Sequence, residues 1–127
     1  MISGIHTIIV QTTNMDRSIA FYRDVLKLKP GYSSPYWSDF ALGSLRLGLH
    51  PVFQGNEGPP VIPFKNAIVG VETPDIAALK SVLDAAGDYV KGVYHDTPGG
   101  VVLDFTDPDG NNWQAIQPGK KAKDIES

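Results

Sequence analysis

The chain contains no cysteine, which removes disulfides, thiolate metal sites and cysteine nucleophiles together. It has no apolar run near the roughly 18 residues that a membrane span needs. The first residues, Met1-Ile2-Ser3-Gly4-Ile5-His6, lack a basic flank followed by an apolar stretch, so the expectation is an unanchored cytoplasmic protein with no membrane partner. Basic runs are missing except for Lys120-Lys121-Ala122-Lys123, and the formal charge is −3, so nucleic acid is not an expected partner. There is also no Gly-rich phosphate loop, no Gly-x-Ser-x-Gly elbow and no His-Glu-x-x-His pair. What remains is a 127-residue chain, 42% hydrophobic and 20% charged, of a size and composition that fit one ordinary globular domain.

The order of elements is legible from periodicity and turn residues. Residues 5–10 are rich in β-branched side chains and read as a buried strand closed by Thr12-Thr13-Asn14. Asn14 or Thr13 can cap a helix over 16–28, in which Met15, Ile19, Tyr22, Val25 and Leu26 recur at helical spacing before Pro30-Gly31. Three strands follow, near 31–34, 36–42 and 45–50, with Gly43-Ser44 as a tight hairpin. Pro51, Pro59, Pro60 and Pro63 then mark an extended connector. The same order begins again with a strand at 66–72, a helix at 75–86 ended by Gly87, and strands near 89–95, 100–105 and 112–117. The turn Asp107-Pro108-Asp109-Gly110 separates the last two. Sliding the chain by 61 residues lays Thr7 on Ile68, Val10 on Val71 and Met15 on Ile76, so the chain reads as an internal repeat.

The stretch Asn14-Met15-Asp16-Arg17-Ser18-Ile19-Ala20-Phe21-Tyr22-Arg23-Asp24-Val25-Leu26 resembles the first helix of the vicinal oxygen chelate superfamily of glyoxalases, bleomycin-resistance proteins and extradiol dioxygenases. Lys27-Leu28 stands where that family usually has Gly-Leu. Gly87 after Leu83-Asp84-Ala85-Ala86 resembles the end of its second helix, and Phe105-Thr106-Asp107-Pro108-Asp109-Gly110-Asn111 resembles the turn into its last strand. The resemblance implies an α+β fold of two tandem β-α-β-β-β modules, forming an open concave eight-stranded sheet with the helices outside. It places module one at about 4–51, a connector at about 52–64, module two at about 65–118 and a polar tail at 119–127, all within a single domain spanning 1–127. The tail is expected to be a flexible end.

Metal-using members of this superfamily take one ligand from each of four strands, usually His or Gln with Glu, and clamp two neighbouring substrate oxygens on zinc, nickel, manganese or iron. By the family's spacing these positions fall here on Thr7, Gly48, Ile68 and Gln114. Glycine and isoleucine carry no donor, and an amide is a weaker ligand than a carboxylate. A conventional four-ligand centre is therefore not expected, and no cofactor is the first expectation. A displaced divalent-metal centre using His6, His50 and Gln114 is the alternative. His6 and Thr7 face opposite ways on an alternating strand, so His6 either packs on the outer face or reaches the cavity through a bulge. Leu45, Leu47 and Leu49 form the face expected to meet the helix, leaving Arg46, Gly48 and His50 on the other. His50 is thus a candidate acid or base, metal ligand or ligand contact, or else a residue that ends its strand in a capping hydrogen bond. His95 with Asp96 and Asp104 reads more simply as exposed loop chemistry.

Tyr32, Tyr36, Trp37, Phe40 and Trp113 border the implied concavity, although Phe40 and Trp113 lie on strand phases that equally fit the core. The candidate ligand-binding residues are Thr7, Tyr36, Trp37, Arg46, His50 and Gln114, around a flat, partly anionic or hydroxylated small molecule. Two readings follow. One is a metal-free binding protein similar to the bleomycin-resistance branch; the other is a lyase or dioxygenase acting through the displaced centre, with His50 as acid or base. The superfamily often builds its cavity across a two-fold axis, so a homodimer is expected.

Overall fold

The computed structural model describes residues 1, 5–52 and 68–126, with the backbone alone at residue 126. Two compact units result, Met1–Lys65 and Asn66–Ser127. Each has the same plan, a four-stranded mixed sheet with one long face covered by a helix.

In the first unit the elements are β1 (Thr7–Thr12), α1 (Met15–Ala20), a π-helical turn (Phe21–Val25), β2 (Pro30–Ser33), β3 (Ser38–Leu42) and β4 (Leu45–Pro51). The sheet order is β1-β4-β3-β2, with β1 parallel to β4 and the other pairs antiparallel. Alternation along β4 sorts the faces as expected: Leu47 and Leu49 are fully buried, together with Val10, Phe21, Tyr22 and Phe40. The Tyr22 and Phe40 rings lie 5.9 Å apart, joining the helical segment to β3. Asn14 caps α1, its Oδ1 accepting from the Arg17 amide at 3.0 Å. The buried hydroxyls of Thr12 and Ser18 satisfy each other at 2.5 Å.

The helix is shorter than the sequence periodicity suggests. Its last turn widens so that the Leu26 amide reaches Phe21 O at 3.1 Å, and Lys27 then turns the chain with φ at +61°. That left-handed conformation favours glycine. It explains why the Gly-Leu pattern belongs at this point and what the lysine gives up.

The second unit runs β5 (Ile68–Glu72), α2 (Ile76–Ala86), β6 (His95–Thr97), β7 (Gly100–Thr106), β8 (Asn112–Pro118) and α3 (Ala122–Glu126), with sheet order β5-β8-β7-β6. Its core is Ile76, Leu83, Val101, Leu103, Phe105, Trp113 and Ala115. Phe105 and Trp113 sit opposite each other across β7 and β8 and stack at 6.1 Å. Asp75 caps α2 through Ala78 N, and Gln117 Oε1 accepts from Ile76 N at 2.9 Å, which ties the helix start to the last strand. The buried Asp107 organises the β7–β8 turn. Its Oδ1 accepts from the amides of Asp109 and Asn111 at 3.0 and 2.8 Å, and its Oδ2 from Asn111 Nδ2 at 2.7 Å.

Three expectations shift. The strand expected over 89–95 is instead a single bridge from Val90 to Phe105, with β6 formed only at His95–Thr97. Tyr89 and Lys91 bond to one end of β7 and residues 95–97 to the other, with the exposed Gly92 between them. The polar tail carries α3, whose first amide, Ala122 N, donates to Asp96 Oδ1 at 2.7 Å. Phe40 and Trp113 belong to the cores and not to a ligand surface. The expected connector from 53 onward and the start of the fifth strand at 66–67 lie outside the described residues. Among the described residues no helix is long and apolar enough to cross a membrane.

A candidate functional site on the uncovered sheet face of the first unit

The register places the candidate residues without further assumption. Thr7 lies beside Arg46, Ile9 beside Gly48 and Gln11 beside His50, while Asp39 lies opposite Gly48 and Ala41 opposite Arg46. All of these share the face that α1 does not cover. The residues between them, Val10, Phe40, Leu47 and Leu49, are buried on the other face.

Two long planar side chains cross this face in opposite directions. Trp37 reaches from the β2–β3 turn across β3 to β4, where its six-membered ring fills the position that a β-carbon on Gly48 would occupy. Arg46 reaches from β4 across β3 to β2, where its guanidinium fills the corresponding position at Gly31. Asp39 lies between them. Its Oδ2 accepts from Trp37 Nε1 at 3.1 Å, and its Oδ1 accepts from Tyr32 N at 3.1 Å and forms an ion pair with Arg46 Nη2. Burial pushes the Asp39 carboxyl up, but the Arg46 guanidinium, the Trp37 indole and the Tyr32 amide outweigh it and hold it below the usual carboxylate range. The turn that launches Trp37 is itself pinned. Ser34 Oγ donates to Trp37 O at 3.0 Å and accepts from the amides of Tyr36 and Trp37 at 3.2 and 3.1 Å.

The remaining candidates are more dispersed. His50 Nδ1 donates to Pro51 O at 2.8 Å, as the capping alternative has it. His6 is exposed and its Nδ1 lies 2.6 Å from Thr7 Oγ1. Because Thr7 pairs with Arg46, four residues before His50, His6 and His50 stand roughly 13 Å or more apart along the strands. The register does not bring them together. Tyr36 projects from the turn and is 67% exposed. On the uncovered face of the second unit, Gln114 lies beside Gly70 and opposite Asp104, to which its Nε2 donates at 3.0 Å. Ile68, on that same face, is 65% exposed.

The donor set can be tested for a metal. At Gly48 there is no side chain and the space is taken by indole. Ile68 is a hydrocarbon, Thr7 is paired with His6, and the Gln114 amide is paired with Asp104. Among the described residues no three His, Asp or Glu side chains gather closely enough to hold an ion. These residues do not fit the four-ligand centre. Two clefts, of about 320 Å³ beside the start of α1 and about 580 Å³ beside α2, contain none of the candidate residues.

Asp39 and the seat at Gly31 are what sequence reasoning passed over, and Gly48 was read only as a ligand position without a donor. A signal existed: counting outward from the Gly43-Ser44 turn puts Asp39, Ala41, Arg46 and Gly48 on one hairpin face, with opposite charges on a diagonal.

The paired β-α-β-β-β units have their counterpart in a match to a family profile over residues 4–115, nearly the whole chain. The protein belongs to the glyoxalase/bleomycin resistance protein/dioxygenase superfamily. Solved structures of the superfamily fold agree with this. The chain resembles lactoylglutathione lyase from Agrobacterium tumefaciens, with a TM-score of 0.72 at 23% identity, covering 92% of this chain and 95% of that one. It also resembles TnmS3, an antibiotic binding protein from Streptomyces sp. CB03234, with a TM-score of 0.74 at 25% identity, covering 93% and 98%. A glyoxalase-related enzyme from Fulvimarina pelagi gives a TM-score of 0.75 at 20% identity, covering 91% and 88%. No curated protein matches the chain. Superfamily relatives thus include both an enzyme and a binding protein, and the side chains of this site have to decide between them.

Proposed function

We propose that this protein is a binding member of the superfamily that works without the usual four-ligand metal centre, as a single domain over 1–127. It takes a small aromatic or oxygenated molecule on the uncovered face of the first unit. The observation that carries the reading is the Trp37 ring seated on Gly48: one of the four positions where the resemblance leads one to expect a metal ligand carries an aromatic surface instead. Trp37 supplies a stacking surface, Arg46 a donor, and Thr7, Tyr36 and His50 the polar or aromatic rim. The antibiotic-binding relative shows that the fold serves such a role in another protein. We further propose a cytoplasmic location and a homodimeric state, the second of which light scattering at micromolar concentration checks.

Protein purified without chelator or added metal tests the central claim. The expected result is far less than one metal ion per chain, together with a change in tryptophan fluorescence on titration with 2-naphthoate. Stoichiometric metal that disappears in His50→Ala would overturn the proposal in favour of the displaced centre at His6, His50 and Gln114.

A further inference from the structure

The two planar groups of the first unit do more than occupy space. Gly31 and Gly48 each lack the one atom that would collide with the group above it, so guanidinium and indole lie low against the sheet on either side of Asp39. The three donors that Asp39 accepts fix both of them. Exposure is uneven across the ion pair: the Arg46 side chain is 42% exposed and that of Asp39 only 16%. A molecule settling on this surface therefore meets the cation before the carboxylate. A guanidinium carries five N–H donors in one plane, and among the described residues the one partner of Arg46 is Asp39. Its other donors are available.

From this we infer that Arg46 is the specificity-determining residue of the site and that its ligands are planar aromatic anions. The aromatic ring stacks on Trp37, and an attached carboxylate, or an equivalent anionic oxygen pair, accepts from the Arg46 edge that Asp39 leaves open. The inference rests on the binding function proposed above and names the ligand class. An exposed lysine in the same place would offer a strongly hydrated point charge; the planar guanidinium, tethered by Asp39 over Gly31, presents a fork of donors that matches a carboxylate in geometry as well as charge. Both oxygens of Asp39 are already engaged by its three donors, and its side chain is only 16% exposed, so it orients Arg46 while Arg46 presents the more accessible group.

Two probes of nearly equal shape separate the cases: 2-naphthoate and the neutral 2-naphthalenemethanol. Both are titrated into isotopically labelled full-length protein while the two indole N–H signals are followed, that of Trp37 being assigned by its loss in Trp37→Phe. The expected result is that both probes shift the Trp37 signal and that naphthoate binds roughly tenfold or more tightly, the worth of a charge-assisted hydrogen bond. In Arg46→Gln/Asp39→Asn, which removes both charges and keeps a hydrogen-bonded pair, the two affinities should converge to within about twofold. Arg46→Lys should keep part of the preference. Equal affinities in the unaltered protein, or a preference that survives in the double variant, would overturn the role of Arg46 while leaving the binding function intact. If neither probe moves the Trp37 signal, the binding function fails and the inference fails with it.

Discussion

Replacing Gly48 by alanine puts a methyl group where the Trp37 ring now lies, and the size of the effect can be worked out from the contacts. The ring must lift away, and in doing so it gives up the Nε1 bond to the Asp39 carboxylate. A hydrogen bond to a charged acceptor contributes about 1.5–3 kcal/mol. Alanine in place of glycine within a strand returns about 0.5–1 kcal/mol. The net destabilisation is then about 0.5–2.5 kcal/mol, a fall in Tm of roughly 2–9 °C for a chain of this length. The sign should reverse once the ring is gone. In a Trp37→Ala background the methyl no longer meets the ring, and Gly48→Ala should stabilise by about 0.5–1 kcal/mol. Urea unfolding of the four proteins in the cycle measures the coupling, expected at about 1.5–3 kcal/mol. Tryptophan emission should also move to longer wavelength in Gly48→Ala as the ring enters water. If Gly48→Ala has the same effect with and without Trp37, the indole does not sit on this glycine and the argument for the site collapses.

Other consequences are open to simpler measurements. Lys27→Gly relieves a left-handed residue at the helix end and should raise stability by about 0.5–1 kcal/mol, read by urea or thermal unfolding; a loss would contradict the strain. Because the Asp39 carboxyl is held below its ordinary value in the folded chain, it contributes stability that is fully present above the unfolded value of 3.8 and is lost as pH falls through the lower, folded one. Asp39→Asn should therefore flatten the acid limb of the stability profile below about pH 4, and an unchanged slope would show that the ion pair is not formed. Asp107→Ala strands three donors at a buried turn and should cost about 2–3 kcal/mol in chemical denaturation, whereas a loss under about 0.5 kcal/mol would mean that the turn holds by backbone geometry alone.

The order of elements, the repeat and the division into modules follow from periods of two and 3.6 and from turn chemistry, which are local properties of the chain. Leu45, Leu47 and Leu49 alternating with Arg46, Gly48 and His50 already separated a helix-facing surface from an uncovered one. The chain's own residues likewise spoke against the four-ligand centre, because Gly48 and Ile68 have no donor whatever the fold does with them. Element ends were less legible. Lys27 takes a glycine-like conformation, and residues 89–97 split into two separate pairings with β7, because pairing across a sheet is settled by partners distant in sequence. The phase of isolated aromatics was not legible either: Phe40 and Trp113 went to the cores, Trp37 to the uncovered face, and only their strand neighbours decide which. The reason Gly48 is glycine could not be read from the chain at all. It depends on a tryptophan eleven residues away folding back across a hairpin, held there by Asp39 and Ser34. Composition and spacing determined which chemistry the protein lacks; tertiary contact decided what stands in its place.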